Sequence, residues 1–462
     1  MSLRTPAGVL SVRAYLGVMT AAYAVASALG LGLTWDGAYY LFQPLNNGVA
    51  MAPFNRLVDL PLQQPVIFAR SVTDNPTVLA AIFSFSYLLV PLASLAGSWL
   101  VVRKRQPRLF VWSVLGIGLF SLPGQAAIQS EAIMAVQLAW PIVLAVLTGE
   151  PSEQWDIVLL FSIVLALTHP LAVPLFAGVA VTVALLHSAH RPRGRPELWW
   201  MAVFAFFAGL AWLRTAGAEL GSTHTQELSL GPLGGAFGNS VLGAPLLMLA
   251  IAYAGGVLLV AGSALRRLRA RTWARATETF AFALFTLAGI VLVPWAADVH
   301  AWWKALDYRF FTLFFAVPLM GLAFLDTLLQ SPSTGDASDA GSWTRRWIVG
   351  GQALIVFAVM AAFAVSFHGL QTQLASDLGP NARPCVTLSS LQWAKQTALD
   401  HWAVAPDSLL IQGRTPAHIV LPACSVDFSE GLPLTSWQTN SYGGGWFDLS
   451  KLESGLLKSG PK

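Results

Sequence analysis

Long apolar runs separated by short polar stretches set the rhythm of this chain and predict its elements. Ala14 to Leu33 is almost wholly apolar, and further runs cover about Pro76–Val102, Leu109–Leu122, Ala126–Thr148, Trp155–Thr168 and Leu171–His187. The second half continues at about Leu198–Leu213, Val241–Ala264, Thr279–Ala297, Phe310–Leu329 and Ile348–Phe367. A helix needs about 20 apolar residues to cross a bilayer, and these runs approach or reach that length. The pattern predicts an α fold, a polytopic helical membrane protein with about 11 transmembrane helices. No A-x-A-like cleavage site follows the first run, so it reads as a retained span. Residues 1–367 then form a transmembrane domain with a long first loop at 34–75, and residues 368–462 form a tail.

Composition supports that class: 55% of the 462 residues are hydrophobic and 11% are charged. A soluble protein carries about a quarter charged residues. The charges that remain are unevenly placed. Basic clusters fall at 103–108, 191–195, 266–275 and 345–346. If the spans alternate, all four lie on one side, and Lys and Arg near span ends mark the cytoplasmic face. The N-terminus is then inside and the tail outside, in a bacterial inner (plasma) membrane. The linker Ser331–Ser342 (SPSTGDASDAGS) is flexible by composition.

The tail is polar and turn-rich, and reads as a small extracytoplasmic α+β appendage. It holds the chain's two cysteines, Cys385 and Cys424. An outside location favours a disulfide between them. The sequence has no phosphate-binding glycine loop and no Cys/His metal cluster, and its net charge of +4 carries no nucleic-acid signal.

The same topology collects polar groups at the outer face. Asp36 follows the first span inside Thr34–Tyr40 (TWDGAYY), where Trp35, Tyr39 and Tyr40 suit a membrane–water interface. Glu131 opens the fourth span, and His169-Pro170 joins the fifth to the sixth. The densest group is Asp298, His300, Lys304, Asp307 and Arg309 in DVHAWWKALDYRF. Such a face suits group transfer from a lipid carrier. A polyprenyl-phosphate donor would lay its tail among the spans with its phosphate at the interface, held by Lys304 and Arg309. Asp36 is the candidate general base towards an acceptor hydroxyl, with Glu131 a second candidate catalytic acid. Tyr39, Tyr40, His169, Asp298, His300 and Asp307 are candidate substrate contacts. The plainer readings are interfacial anchors for the cations and ordinary hydrogen-bonded histidines.

With these residues in view, the chain resembles the C-type (GT-C) family of polytopic membrane glycosyltransferases. Trp35-Asp36-Gly37-Ala38-Tyr39-Tyr40 sits where that family places its first-loop acid, and Asp307-Tyr308-Arg309-Phe310 is similar to an acid–aromatic/basic run of some members. The resemblance implies transfer of a sugar from a polyprenyl-phosphate donor to a glycan, lipid or protein acceptor at the extracytoplasmic face. It also implies short helices along the membrane in the first loop, for which Phe54–Val72 is the candidate. Some members have a paired acid where this chain has Asp36 alone, and a divalent metal, Mg or Mn, is the cofactor the resemblance leaves open. The tail matches no module of the family. The alternatives are a transporter or lipid flippase, with Glu131 and His169 as its proton relay, and a scaffold subunit without chemistry. Apolar span centres, Gln137 and Ser162 apart, favour the transferase.

Overall fold

The computed structural model describes residues 7–34, 36–52, 56–122, 130–148, 151–190, 196–216, 243–268, 270–298, 305–329 and 339–395. Of the tail beyond, it describes 397, 399, 404–421, 423, 424, 446–448, 450–452 and 454. A helix forms in each apolar run. The helices are α1 (Ala7–Ala28), α2 (Asp36–Asn47), α3 (Asp59–Ala69), α4 (Pro76–Val102) and α5 (Phe110–Leu115), the last continued by a π turn at Gly116–Phe120. Then come α6 (Glu131–Leu147), α7 (Trp155–Ala166), α8 (Ala172–His190), α9 (Pro196–Ala211), α10 (Gly243–Arg267), α11 (Arg271–Ala297), α12 (Ala305–Leu329) and α13 (Asp339–Asp377). Among the described residues, four helical stretches are long and apolar enough to cross a membrane: Pro76–Val102, Leu247–Arg267, Arg271–Ala297 and Arg345–Asp377. This is a helical membrane protein.

Packing follows from how apolar each helix is around its circumference. Every residue of α6 is buried, as expected of a helix that is hydrophobic all round. It packs against α4, α7, α8 and α12, which makes it the central post. Around it, α4 also meets α1 and α3, and α13 lies along α1 and α11. A close approach needs Gly116, since a Cβ there would run into the Trp140 indole of α6. Gly30, with φ 78°, ends α1 in the left-handed conformation typical of a helix C-terminus. The chain then passes through a short 3₁₀ turn, Leu31–Leu33, into α2.

The first loop is therefore mostly helical. Residues 37–46 of α2 are buried, because α2 is held between α3 and α4 on one side and the tail on the other. Arg70, at the end of α3, donates from Nη1 to the carbonyls of Pro44 (3.1 Å) and Leu45 (2.6 Å). A cation on the last carbonyls of a helix satisfies them and offsets its dipole. Asn75 starts α4 as its N-cap, accepting from the amides of Thr77 (2.9 Å) and Val78 (3.3 Å).

Among its described residues, the tail contains one parallel pair, β1 (Cys385–Thr387) with β2 (Ile419–Leu421), and a helix, α14 (Val404–Leu410). A disulfide joins Cys385 to Cys424. The α14 helix rests on α2 and β2. Phe447 stacks on Phe42 of α2 with ring centroids 5.0 Å apart, and Arg414 pairs with Asp74 at 2.9 Å. The tail thus grips both ends of the first loop.

Candidate functional site

At the end of the bundle where the first loop folds back, two acids and one arginine meet. Asp59 opens α3, where an acid in the first turn faces the positive end of the helix dipole. Glu131 opens α6 in the same way. Arg56, just before α3, reaches across and donates from Nη1 to Glu131 Oε2 at 2.8 Å. Its side chain is 15% exposed against 2% for Glu131, so Arg56 is the more exposed partner of the pair.

The other side of the cluster is built from α4 and the loop before α3. Tyr87 donates its hydroxyl to Asp59 Oδ1 at 2.9 Å. Gln63 Nε2 donates in turn to the Tyr87 oxygen (3.3 Å) and to the Met51 carbonyl (3.2 Å), while its Oε1 accepts from the Met51 amide (2.8 Å). Asp59 and Gln63 are fully buried. Burial and the neighbouring Glu131 carboxylate push the Asp59 carboxyl well above the usual range, against the opposing pull of Tyr87 and Arg56.

A second charged group sits at the opposite end of the helices. Asp326 of α12 is completely buried and takes four hydrogen bonds from three described side chains. Arg345 of α13 grips it with both arms, at 2.9 and 3.0 Å, Trp112 Nε1 donates at 2.8 Å, and Ser263 Oγ at 2.5 Å. Arg345 also donates to the Arg108 carbonyl at 3.2 Å, and Arg266 pairs with buried Glu278 beside it. The bonds to Asp326 satisfy both of its oxygens and tie α5, α10, α12 and α13 together, which reads as a structural knot.

The residues singled out in the sequence fall as follows. Asp36 begins α2, a helix in contact with α3 and α4, which carry the first cluster; its side chain lies outside the described set. Tyr39 and Tyr40 are buried on α2 with rings 6.1 Å apart. Glu131 is at the centre of the cluster. His169 is half-buried in the turn between α7 and α8, where its Nδ1 accepts from the Leu171 amide at 3.2 Å. Asp298 is exposed at the end of α11. His300 and Lys304 lie outside the described residues, and Asp307 and Arg309 are on the first turns of α12, their side chains likewise outside the described set.

Sequence reasoning missed Arg56, Asp59, Gln63 and Tyr87. The signal was present in Arg56-Leu57-Val58-Asp59, a cation and an acid three residues apart at a helix start, but nothing in the pattern says that Glu131 lies opposite. Asp326 was missed as well, a lone acid inside an apolar run.

Among the described residues, no group of three or more His, Cys, Asp or Glu gathers to hold a metal. The acid pair itself has a guanidinium on one carboxylate, a donor set that suits a proton better than a divalent ion. Compared with protein-family models, with curated proteins and with solved structures, the chain matches none.

Proposed function

We propose that this protein is a membrane glycosyltransferase that moves a sugar from a polyprenyl-phosphate donor to an acceptor at the extracytoplasmic face. The observation that carries the reading is the Arg56–Glu131–Asp59 cluster, a partly exposed arginine backed by buried acids at the end away from the described basic clusters at 103–108, 266–268 and 345–346. The reading takes the expected topology of about 11 spans with cations inside, under which that end is the outer one. In this reading Arg56 takes over part of the role expected of Lys304 and Arg309, holding the donor phosphate by two parallel hydrogen bonds. Glu131 orients the guanidinium.

In the transfer step, the acceptor oxygen bonds to the anomeric carbon as the bond from that carbon to the phosphate oxygen breaks. Polyprenyl phosphate leaves with the bonding electrons, and the acceptor's proton passes to the Asp36 carboxylate. The same acid pair also has the makeup of a proton relay, which is what favours a transporter as the second reading.

The experiment is transfer of radiolabelled sugar from polyprenyl-phosphate donors by purified protein in liposomes. Wild type is expected to transfer. Asp36→Asn is expected to cost about 10²–10⁴-fold in turnover at normal expression, the usual range for losing a general base. Near-normal transfer by Asp36→Asn would remove Asp36 from the base role. No transfer with any donor, together with pH-driven flux into the liposomes, would replace the transferase by the transporter.

A further inference from the structure

We infer that Asp59 and Glu131 form a carboxyl pair that keeps one proton between them at neutral pH, with Asp59 as a positioning residue that fixes Glu131 and through it Arg56. Asp59 and Glu131 are 0% and 1% exposed. One oxygen of each is satisfied: Asp59 Oδ1 by Tyr87 and Glu131 Oε2 by Arg56. The other oxygen of each, Asp59 Oδ2 and Glu131 Oε1, is buried and receives no donor among the described residues. The two carboxyls are neighbours, and Glu131 raises the Asp59 carboxyl both through its charge and through side-chain hydrogen bonding. Two acceptors facing each other repel unless one carries a proton.

Charge balance gives the same answer. Among the described residues, the charged and titratable groups facing the pair are Arg56 from the loop, Tyr87 from α4 and the two acids themselves, with neutral Gln63 from α3. Two carboxylates against one guanidinium would leave a buried net negative charge, which is expensive in a dry site. One proton removes that charge and supplies the missing donor. It belongs on Asp59, because the charged donor of Arg56 goes to Glu131. The pair then donates from Asp59 Oδ2 to Glu131 Oε1, and the carboxylate is locked in the orientation that presents Arg56 at the surface.

This inference concerns proton occupancy and stands whether or not the protein transfers a sugar, so its test avoids activity. Infrared spectra of the purified protein in detergent would be recorded at pH 7.5 in an Asp407→Asn background, which removes another buried carboxyl. A protonated-carboxyl carbonyl band is expected there, and Asp59→Asn should abolish it. The side-chain amide that this substitution introduces can still donate to Glu131, so the Asp59→Asn protein should keep its melting temperature. Asp59→Ala, which leaves Glu131 without that donor, should lower it. Absence of the band in the parent protein, or its survival in Asp59→Asn, would overturn the inference. An Asp59→Asn protein as destabilised as Asp59→Ala would overturn it too, since a charged Asp59 is then what the fold requires.

Discussion

Charged side chains that an apolar chain keeps inside are its most exacting residues. Asp326 has both oxygens satisfied and Arg345 is its guanidinium partner, so removing the arginine strands a buried carboxylate. Arg345→Met is expected to destabilise by about 3–5 kcal/mol, the cost of breaking a buried pair by deleting one partner. Arg345→Lys keeps the charge but loses the planar fork and should recover only part. Denaturation midpoints of the three proteins in detergent would measure this, and equal midpoints would show that the fold does not depend on the network.

Asp407 makes a pH-dependent case at the same scale. It is buried in α14, accepts from Gln371 Nε2 at 3.4 Å, and burial pushes its carboxyl from 3.8 to about 7. A group that binds its proton more tightly folded than unfolded adds stability that is full below the unfolded pKa. That stability is lost as pH rises through the folded pKa. Docking of the tail should therefore weaken between about pH 4 and 7, and Asp407→Asn should flatten that part of the dependence. Amide hydrogen exchange in Val404–Leu410 across this range is the measurement.

At the scale of elements, the tail is joined to the first loop by few but specific contacts, and the disulfide holds the tail to itself. Cys385 and Cys424 are 39 residues apart, which in the chain-entropy model corresponds to roughly 4 kcal/mol for the unfolded tail. Cys385→Ser is expected to loosen β1 from β2, and through α14 to raise exchange in α2, the helix that Asp36 begins. Mass spectrometry of the unreduced protein checks the bond, and exchange rates in Asp36–Asn47 check the consequence. Unchanged exchange in α2 would show that Phe42 and its neighbours hold without the tail.

At the scale of the whole molecule, the described basic clusters at 103–108, 266–275 and 345–346 share one end. Arg345 meets Asp326 and the Arg108 carbonyl, Arg266 meets Glu278, and Arg105 meets Glu153 at 2.8 Å. Exposed Trp155, Trp199, Trp273 and Trp347 stand in sequence beside these charges, as interfacial aromatics do. The orientation proposed from the positive-inside rule then predicts that cysteines introduced at 266–275 stay unlabelled by a membrane-impermeant reagent in intact cells and react after permeabilisation. Labelling from outside would invert the molecule and place the Arg56 cluster at the cytoplasmic face.

Much of the architecture was legible in the chain because it depends on local composition. Apolar runs must be helical in lipid, where each backbone amide needs a partner within its own segment. Hence Pro76–Val102 could be read residue for residue, and the two cysteines could be paired from their placement. Boundaries were less legible where tertiary contacts extend a helix through charges: α13 runs from Asp339 to Asp377, well past the apolar run at 348–367. The site was half legible. Glu131 was visible as an acid at a span start, whereas Arg56, Asp59 and Tyr87 become a site only because α3 folds back on α4 and α6. Nothing local specifies which buried acid meets which arginine across 75 residues; that is decided by which helices pack together. The sequence determined that the chain is helical, apolar and charged at selected ends. Tertiary structure alone decided that two of its acids and one guanidinium share a single buried corner, because the energy of a buried charge depends on the partner that packing supplies.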